Sequence, residues 1–524
     1  MPKLQFSQLS FQLADGEPLF SGLSASLPHG ITALVGDNGA GKSVLARCLM
    51  GLLPPDSGHI QCTPSVGYLS QQEAAHAERP STASIGRYLG LEEKLKALQR
   101  ISQGEYREAD FTLVGDDWLL EEQLHQRLRQ AGLPANWQHH CDCLSGGERV
   151  RLRLLALLEE APSLLVLDEP TNHLDVTGRK WLAEALNAYQ GDVLVISHDV
   201  GLLALATQVW KLDTLGLHLF EGSYQAFVDA ETLKIAALER QYQHTLRLEK
   251  CIIEEARRSE EKAQRRARQG EAARQRGDQP KILLNSMRNS AQSSAQSRRT
   301  QTQAQLQRVK AERAVLDSQR IEHATQTLYF AEAQAKRQRL RVLEEVVLPY
   351  GNATPLSMQL FSGDRWHLCG ANGSGKSTLL KCLMGWQRPK HGYIKGSAPL
   401  AYLDQHYSLL HPDESMLDNL RRLAPHLDQS AARTLLAGIG FRRDSVFRLT
   451  RDLSGGEKMK LAVVAISQQA DVKMLLLDEP DNHLDLRSKQ LLIHTLNQYP
   501  GGFVLVSHDE GFVDALSIEK TLRF

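Results

Sequence analysis

One octapeptide pattern, G-x-N-G-x-G-K-S, occurs twice in this chain, and it limits what the chain can fold into. GDNGAGKS at Gly36 to Ser43 returns as GANGSGKS at Gly370 to Ser377, and CLMGLLPPDSGHI at Cys48 to Ile60 returns as CLMGWQRPKHGYI at Cys382 to Ile394, both at an offset of 334 residues. LSGGE (Leu144, Leu453), LDEP (Leu167, Leu477) and SHD (Ser197, Ser507) also repeat, at offsets of 309 or 310. A length of 524 residues suits about three domains or two large ones. The repeat makes two of them copies of each other. The change in offset leaves about 25 extra residues in the first copy, between Gln71 and Leu144, within about 83–137.

In each copy the pattern G-x-x-x-x-G-K-S stands between an apolar run (ITALV; RWHLC) and a helical one (VLARCLMG; TLLKCLMG). A phosphate-binding loop needs that context, because glycines let successive backbone amides turn onto phosphates and the helix start adds partial positive charge. Gly36, Asn38, Gly39, Gly41 and Lys42, with Gly370, Asn372, Gly373, Gly375, Lys376 and Thr378, are the candidate phosphate ligands. Ser43 and Ser377 are suited to magnesium.

LLVLDEP and MLLLDEP read as buried parallel strands that end in acids. At such strand ends Asp168 and Asp478 can hold the magnesium shell, and Glu169 and Glu479 can polarise an attacking water. VLVIS and FVLVS are second strands that lead to His198 and His508, placed to meet a terminal phosphate. LSGGE precedes a long helical stretch in each copy and is another anion-binding helix start.

Taken in order, the phosphate loop, the Gln of YLSQ and YLDQ, LSGGE, LDEP, HLD and SHD resemble the ATP-binding cassette ATPases at both ends of the chain. The resemblance implies an α/β fold in which two cassettes face head to tail within one monomer and sandwich ATP. One site would combine Lys42, Ser43, Gln71, Asp168, Glu169 and His198 with Ser454, Gly455 and Gly456. The other would combine Lys376, Ser377, Gln405, Asp478, Glu479 and His508 with Ser145, Gly146 and Gly147. Gln71 and Gln405 would join the magnesium ligands. The position that stacks on adenine in that family is matched by Tyr350 in the second copy but by Leu13 in the first, and TNHLD at Thr171 becomes DNHLD at Asp481.

Net charge is zero, which would disfavour a nucleic-acid partner if it were spread evenly. It is not. Glu231 to Leu340 holds 23 basic and 13 acidic side chains, leaving 38 against 48 in the other 414 residues. Lys262 to Lys310 alone has 12 basic residues against Glu271 and Asp278. From about Ala230 the sequence is rich in helix formers, breaks at Gly277 to Pro280, and resumes as a helical run from roughly Gln301 to Val347. An antiparallel helical hairpin with arms of about 70 Å is expected.

Two cassettes on one chain, NHLD after each LDEP, FEGSYQAF at Phe220 to Phe227 and a long charged connector resemble the ABC-F family, soluble ATPases that mostly act on ribosomes. On that resemblance the domains are 1–228 and 343–524 for the cassettes and 229–342 for a linker hairpin that contacts ribosomal RNA and tRNA. The tip is nearly free of aromatics, so recognition by shape and backbone is expected rather than base stacking. ATP and Mg2+ are the implied cofactors. The other readings are a DNA-associated repair ATPase and the energy subunit of a transporter with a separate membrane partner.

LEEKLKALQRI and WLLEEQLHQRLRQAG in the first-copy insertion are amphipathic, which suits packing within the cassette or a ribosome-contacting arm. HHCDC at His139 to Cys143 collects possible zinc ligands but runs directly into LSGGE without a second ligand group. The seven scattered cysteines read as free thiols in a reducing compartment. With no run of 18 or more apolar residues and no apolar stretch near Met1, a cytoplasmic protein is expected.

Overall fold

Short apolar runs with no polar alternation suit strands covered on both faces. LLVLD (β6, Leu164–Asp168) and DVLVI (β7, Asp192–Ile196) are buried at every position, as are MLLLD (β15, Met474–Asp478) and GFVLV (β16, Gly502–Val506). The computed structural model describes residues 3–13, 16–62, 65–70, 83–105, 107–172, 174–213, 215–276, 296–297, 300–317, 337–404, 407–441, 443–469, 472–482 and 484–524. The side chains at 266, 267, 270–276, 443 and 487 fall outside that description, as do Gln71, Gln405 and the break at Gly277 to Pro280.

The first parallel sheet runs β5-β6-β7-β3-β8-β9, with β5 at Val66–Leu69, β3 at Ile31–Val35, β8 at Gln208–Asp213 and β9 at Gly216–Glu221; only the β8/β9 pair is antiparallel. The second repeats this order as β14-β15-β16-β12-β17, with β14 at Leu400–Leu403, β12 at Arg365–Cys369 and β17 at Lys520–Arg523. A three-stranded antiparallel sheet accompanies each: β2-β1-β4 (Pro18–Ser26, Leu4–Gln12, Ser57–Cys62) and β11-β10-β13 (Leu356–Phe361, Arg339–Val347, His391–Lys395). In the first copy Phe6, Leu9 and Phe20 of the antiparallel sheet, Leu45 and Leu49 of the helix Lys42–Leu49, and Val166 and Leu194 of the parallel sheet share one core. That core anchors the helix which follows the phosphate loop.

Contacts divide the chain into one unit of residues 1–225 and 326–524, holding both copies, and a second of residues 226–325. The helix Tyr224–Arg276 has 53 residues, so it is about 80 Å long. A second helical stretch covers 300–317, and its Arg313 guanidinium donates to the Glu249 carboxylate at 2.6 Å, tying the two together. Lys262, Arg265, Arg268, Arg308 and Lys310 are exposed.

The expected helix through Val347 is corrected at its end, because Arg339–Val347 is a strand paired with both β11 and β13. Its inward residues Leu340, Leu343 and Val346 are three apart, which mimics a helical period. Register shifts between Arg339 and Arg341 and between Leu343 and Val346 produce that spacing within an extended chain.

In the insertion, helices Glu92–Gln103, Glu108–Val114 and Leu120–Gln130 bury Leu95, Leu98, Val114, Leu124 and Leu128 against Trp137, Leu144, Leu152 and Leu155. These helices pack within the cassette. HHCDC is part of the tie that holds them: His140 bridges Ser84, and the Cys141 amide donates to the Ala83 carbonyl at 2.9 Å. No described helix is long and apolar enough to cross a membrane.

Candidate functional site

The site elements sit at the carboxyl ends of neighbouring strands. β6 delivers Asp168 and Glu169, β7 delivers His198, and β3 feeds the loop Gly36 to Ser43; β15, β16 and β12 do the same for Asp478, Glu479, His508 and Gly370 to Ser377. A crevice beyond such strand ends is where open α/β sheets bind ligands.

The loops need their glycines. A Cβ at Gly36 would stand 2.2 Å from the Leu212 carbonyl oxygen, and one at Gly375 would stand 3.0 Å from the Tyr350 oxygen. Lys42 and Lys376 are buried; Lys42 Nζ donates to the Gly36 and Asp37 carbonyls at 2.6 and 3.1 Å, and Lys376 Nζ to those of Gly370 and Ala371 at 2.9 Å each. Burial lowers the pKa of both ammonium groups, against the pull of Glu169 at one site and Glu479 at the other.

Asp168 is 1% exposed and its Oδ1 has no protein hydrogen-bond partner, so a buried carboxylate oxygen beside Ser43 is left for a cation. At the second site Ser377 Oγ donates to Asp478 Oδ1 at 3.0 Å and the Tyr402 hydroxyl donates to Oδ2 at 2.8 Å. This hydroxyl–carboxylate pair has the hard oxygen chemistry that magnesium takes.

Glu169 and Glu479 both adopt φ of 51°, a left-handed backbone that side chains other than glycine's rarely occupy. The Glu169 amide is fixed by the Ile196 carbonyl at 2.8 Å and that of Glu479 by Val506 at 2.9 Å. Each strand that carries a histidine therefore also aims the neighbouring glutamate. His198 Nε2 lies 3.5 Å from Glu169 Oε1, and His508 Nε2 lies 3.7 Å from Glu479 Oε1. These are not ion pairs: burial raises Glu169 to about 7 and lowers His198 to about 3, while burial raises Glu479 and lowers His508 to about 4.

The serines of LSGGE cap the helices Gly146–Glu160 and Gly455–Ser467, each in a reciprocal box with Glu148 or Glu457. Gly456 lies across from the opposite phosphate loop, since a Cβ there would reach Asn38 Nδ2 at 3.9 Å. The Asn38 amide donates to Asp485 Oδ2 of the second copy at 3.0 Å. Burial pushes the Asp485 pKa up, but bonds from Ser488 and Asn38 outweigh it and leave the carboxylate below its usual range. Reciprocally, the charge of Asp175 acts on Lys376 and His508. Tyr350 is 71% exposed, with its backbone against Gly375, whereas Leu13 is 42% exposed and Leu19 is the side chain packed near Gly41.

Three features escaped sequence reasoning. Asp175 and Asp485 were visible only as part of the repeated HLD, without any sign that they cross between copies. Lys489 and Arg179 stand at matching helix positions, and Lys489 Nζ donates to the His198 carbonyl of the other copy at 3.3 Å. Tyr402 was seen only as part of YLDQ. Among the described residues no group of three or more His, Cys, Asp or Glu is placed to hold a metal.

The ABC transporter family model matches residues 20–172 and 353–482. The ATP-binding protein YdiF of Bacillus subtilis is 30% identical over 511 residues, covering 93% of this chain and 74% of that one. The ribosome protection protein VmlR of Bacillus subtilis is 28% identical over 522 residues, covering 98% and 85%. Among solved structures, RNase-L Inhibitor aligns with a TM-score of 0.54 at 16% identity over 98% of this chain and 86% of that one, a likeness of fold alone.

Proposed function

Because this chain belongs to the ABC-F family of ATP-binding cassette ATPases, we propose that it hydrolyses ATP at two composite sites and acts on the ribosome through the basic connector between its cassettes. The contact from the Asn38 amide to Asp485 carries the composite reading, because a phosphate loop held by the other cassette cannot keep its geometry if the two part. This reading uses cassettes at 1–228 and 343–524 with a linker at 229–342, except that β10, which begins at Arg339, belongs with the second cassette.

In the first site Lys42 and the loop amides bind the phosphates and Gly455 and Gly456 close over them. Glu169 accepts the proton of the attacking water, a task suited to a carboxyl held near neutrality. His198 contacts the γ-phosphate as a neutral imidazole. In the second site Lys376, Glu479, His508, Gly146 and Gly147 take the same parts. Magnesium, held through Ser43 and Asp168 or Ser377 and Asp478, would neutralise phosphate oxygens when bound.

Ribosome action is supported by VmlR, whose name is that of a ribosome protection protein, and by the net positive charge of Lys262 to Lys310. Electrostatic attraction to RNA phosphates is the physical basis. Binding that differs between open and ATP-closed forms would couple nucleotide to docking, in the cytoplasm where ribosomes are.

The test is a pelleting assay with Glu169→Gln and Glu479→Gln combined. The amide keeps the shape of the carboxylate but cannot act as a base, so hydrolysis should fall by about two orders of magnitude or more while ATP binding remains. The trapped protein should co-sediment with ribosomes. Turnover near the wild-type rate would remove the glutamates from the mechanism. Trapped protein that stays off ribosomes would favour the DNA or transporter readings.

A further inference from the structure

We propose that Lys489 is a positioning residue that ties together the two loops carrying His198 and His508, holding the His198 peptide so that the imidazole is aimed into the first site. The lysine stands on the second cassette's helix Leu486–Gln498 and is 9% exposed. Its Nζ donates to Asp509 Oδ2 at 2.7 Å and to the His198 carbonyl of the first cassette at 3.3 Å. Asp509 directly follows His508 and caps the next turn through the Phe512 amide at 3.0 Å. One ammonium group thus joins the backbone of one histidine loop to a side chain fixed in the other.

The local charges fit this role. Burial pushes Asp509 up, but Lys489 outweighs it and keeps the carboxyl below its ordinary range, so an anion is there to fix the lysine. The charge of Lys489 also reaches Glu169 and His198, the first site's own groups. Asp481, the acid that replaces Thr171 in the repeat, is 2% exposed, and Lys489 is its main charged partner. The substitution in DNHLD therefore places a second carboxyl beside this lysine, one whose pKa burial raises against the pull of the lysine's charge. In the first cassette the matching position is Arg179, which donates to Asp199 Oδ2 at 2.7 Å and to the Leu174 carbonyl at 3.2 Å. Both of those partners are in its own cassette.

The inference rests on the reading of His198 as a phosphate contact, and the experiment separates the two. Turnover at the first site is isolated by silencing the second with Glu479→Gln, and kcat and KM for ATP are measured for Lys489→Met, Lys489→Arg, His198→Ala and the Lys489→Met/His198→Ala pair. A lysine acting through the histidine should lose about tenfold in kcat as methionine with little change in KM, regain most of it as arginine, and lose nothing further once His198 is alanine. An unchanged kcat for Lys489→Met, a loss confined to KM, or an equal loss with and without His198 overturns the proposal. Unimpaired His198→Ala removes the histidine reading itself, and the proposal with it. If Lys489→Met does not fold, Asp509→Asn, which keeps the cap acceptor while weakening the lysine's anchor, is put through the same cycle and judged by the same outcomes.

Discussion

The Asn38 amide in the first phosphate loop donates to Asp485 Oδ2 of the second cassette at 3.0 Å, joining residues 447 positions apart. Asp485 also caps its own helix through the Ser488 amide at 2.7 Å, so one carboxylate serves two structures. Asp485→Asn keeps a competent cap and should leave the melting temperature nearly unchanged while ATP turnover drops several-fold. Asp485→Ala should additionally lose about 1 kcal/mol of stability. Steady-state phosphate release and a thermal melt on both variants decide the matter, and full turnover in Asp485→Asn would show that the crossing contact is idle.

The two adenine positions should differ in affinity. Tyr350 is exposed beside the second loop, and no aromatic stands at Leu13. An aromatic contact of about 1 kcal/mol corresponds to roughly fivefold in affinity. Tyr350→Ala should weaken fluorescent ATP binding at the second site by about that factor, and Leu13→Tyr should strengthen it at the first. Titrations in which neither variant moves would retire the asymmetry.

The buried histidines make stability depend on pH in a definite direction. Burial lowers His198 to about 3 and His508 to about 4, so both stay neutral in the folded protein where an unfolded histidine would protonate. Their contribution is fully present above about pH 6.5 and is lost as pH falls from there toward the folded values. On going from neutrality to mild acid the wild type should therefore lose melting temperature relative to His198→Gln/His508→Gln, which share the same buried glutamates, and the two should run parallel above neutrality. Equal slopes throughout would contradict the assignment.

For the connector, Arg265, Arg266, Arg268, Arg274, Arg276, Arg298 and Arg299 are the residues to neutralise; the side chains of Arg265 and Arg268 are described, and both are exposed. Glutamine keeps helix propensity and length. Ribosome affinity of the ATP-trapped form should fall, and the log–log slope of binding against salt should become shallower by about one for each RNA phosphate that is no longer neutralised. A solvated helical pair that does not touch RNA predicts an unaltered slope.

Much of this architecture was legible because its signals are local. LLVLDEP and MLLLDEP announce β6 and β15 with their terminal acids, and the repeated octapeptide announces the loops before the helices at Lys42 and Lys376. The strand Arg339–Val347 reads as helix because bulges give its buried residues a helical spacing, which periodicity alone cannot resolve. Lys489 reads as an ordinary polar residue of an amphipathic helix. Its bond to the His198 carbonyl spans 291 positions, and no local pattern encodes a contact between copies.

On the composite reading, the bond from the Asn38 amide to Asp485 gives the second half of the chain custody of part of the first half's site, and the charge of Asp175 acts the other way on Lys376. On that reading, such an arrangement would work as a coincidence detector rather than as two hydrolases in tandem. Loss of either crossing carboxylate should show at the neighbouring copy's site, and neither half, expressed alone, should turn over ATP at the rate it reaches in the intact chain. Mixing the separated halves should restore activity in proportion to the product of their concentrations, a second-order signature that independent enzymes do not have.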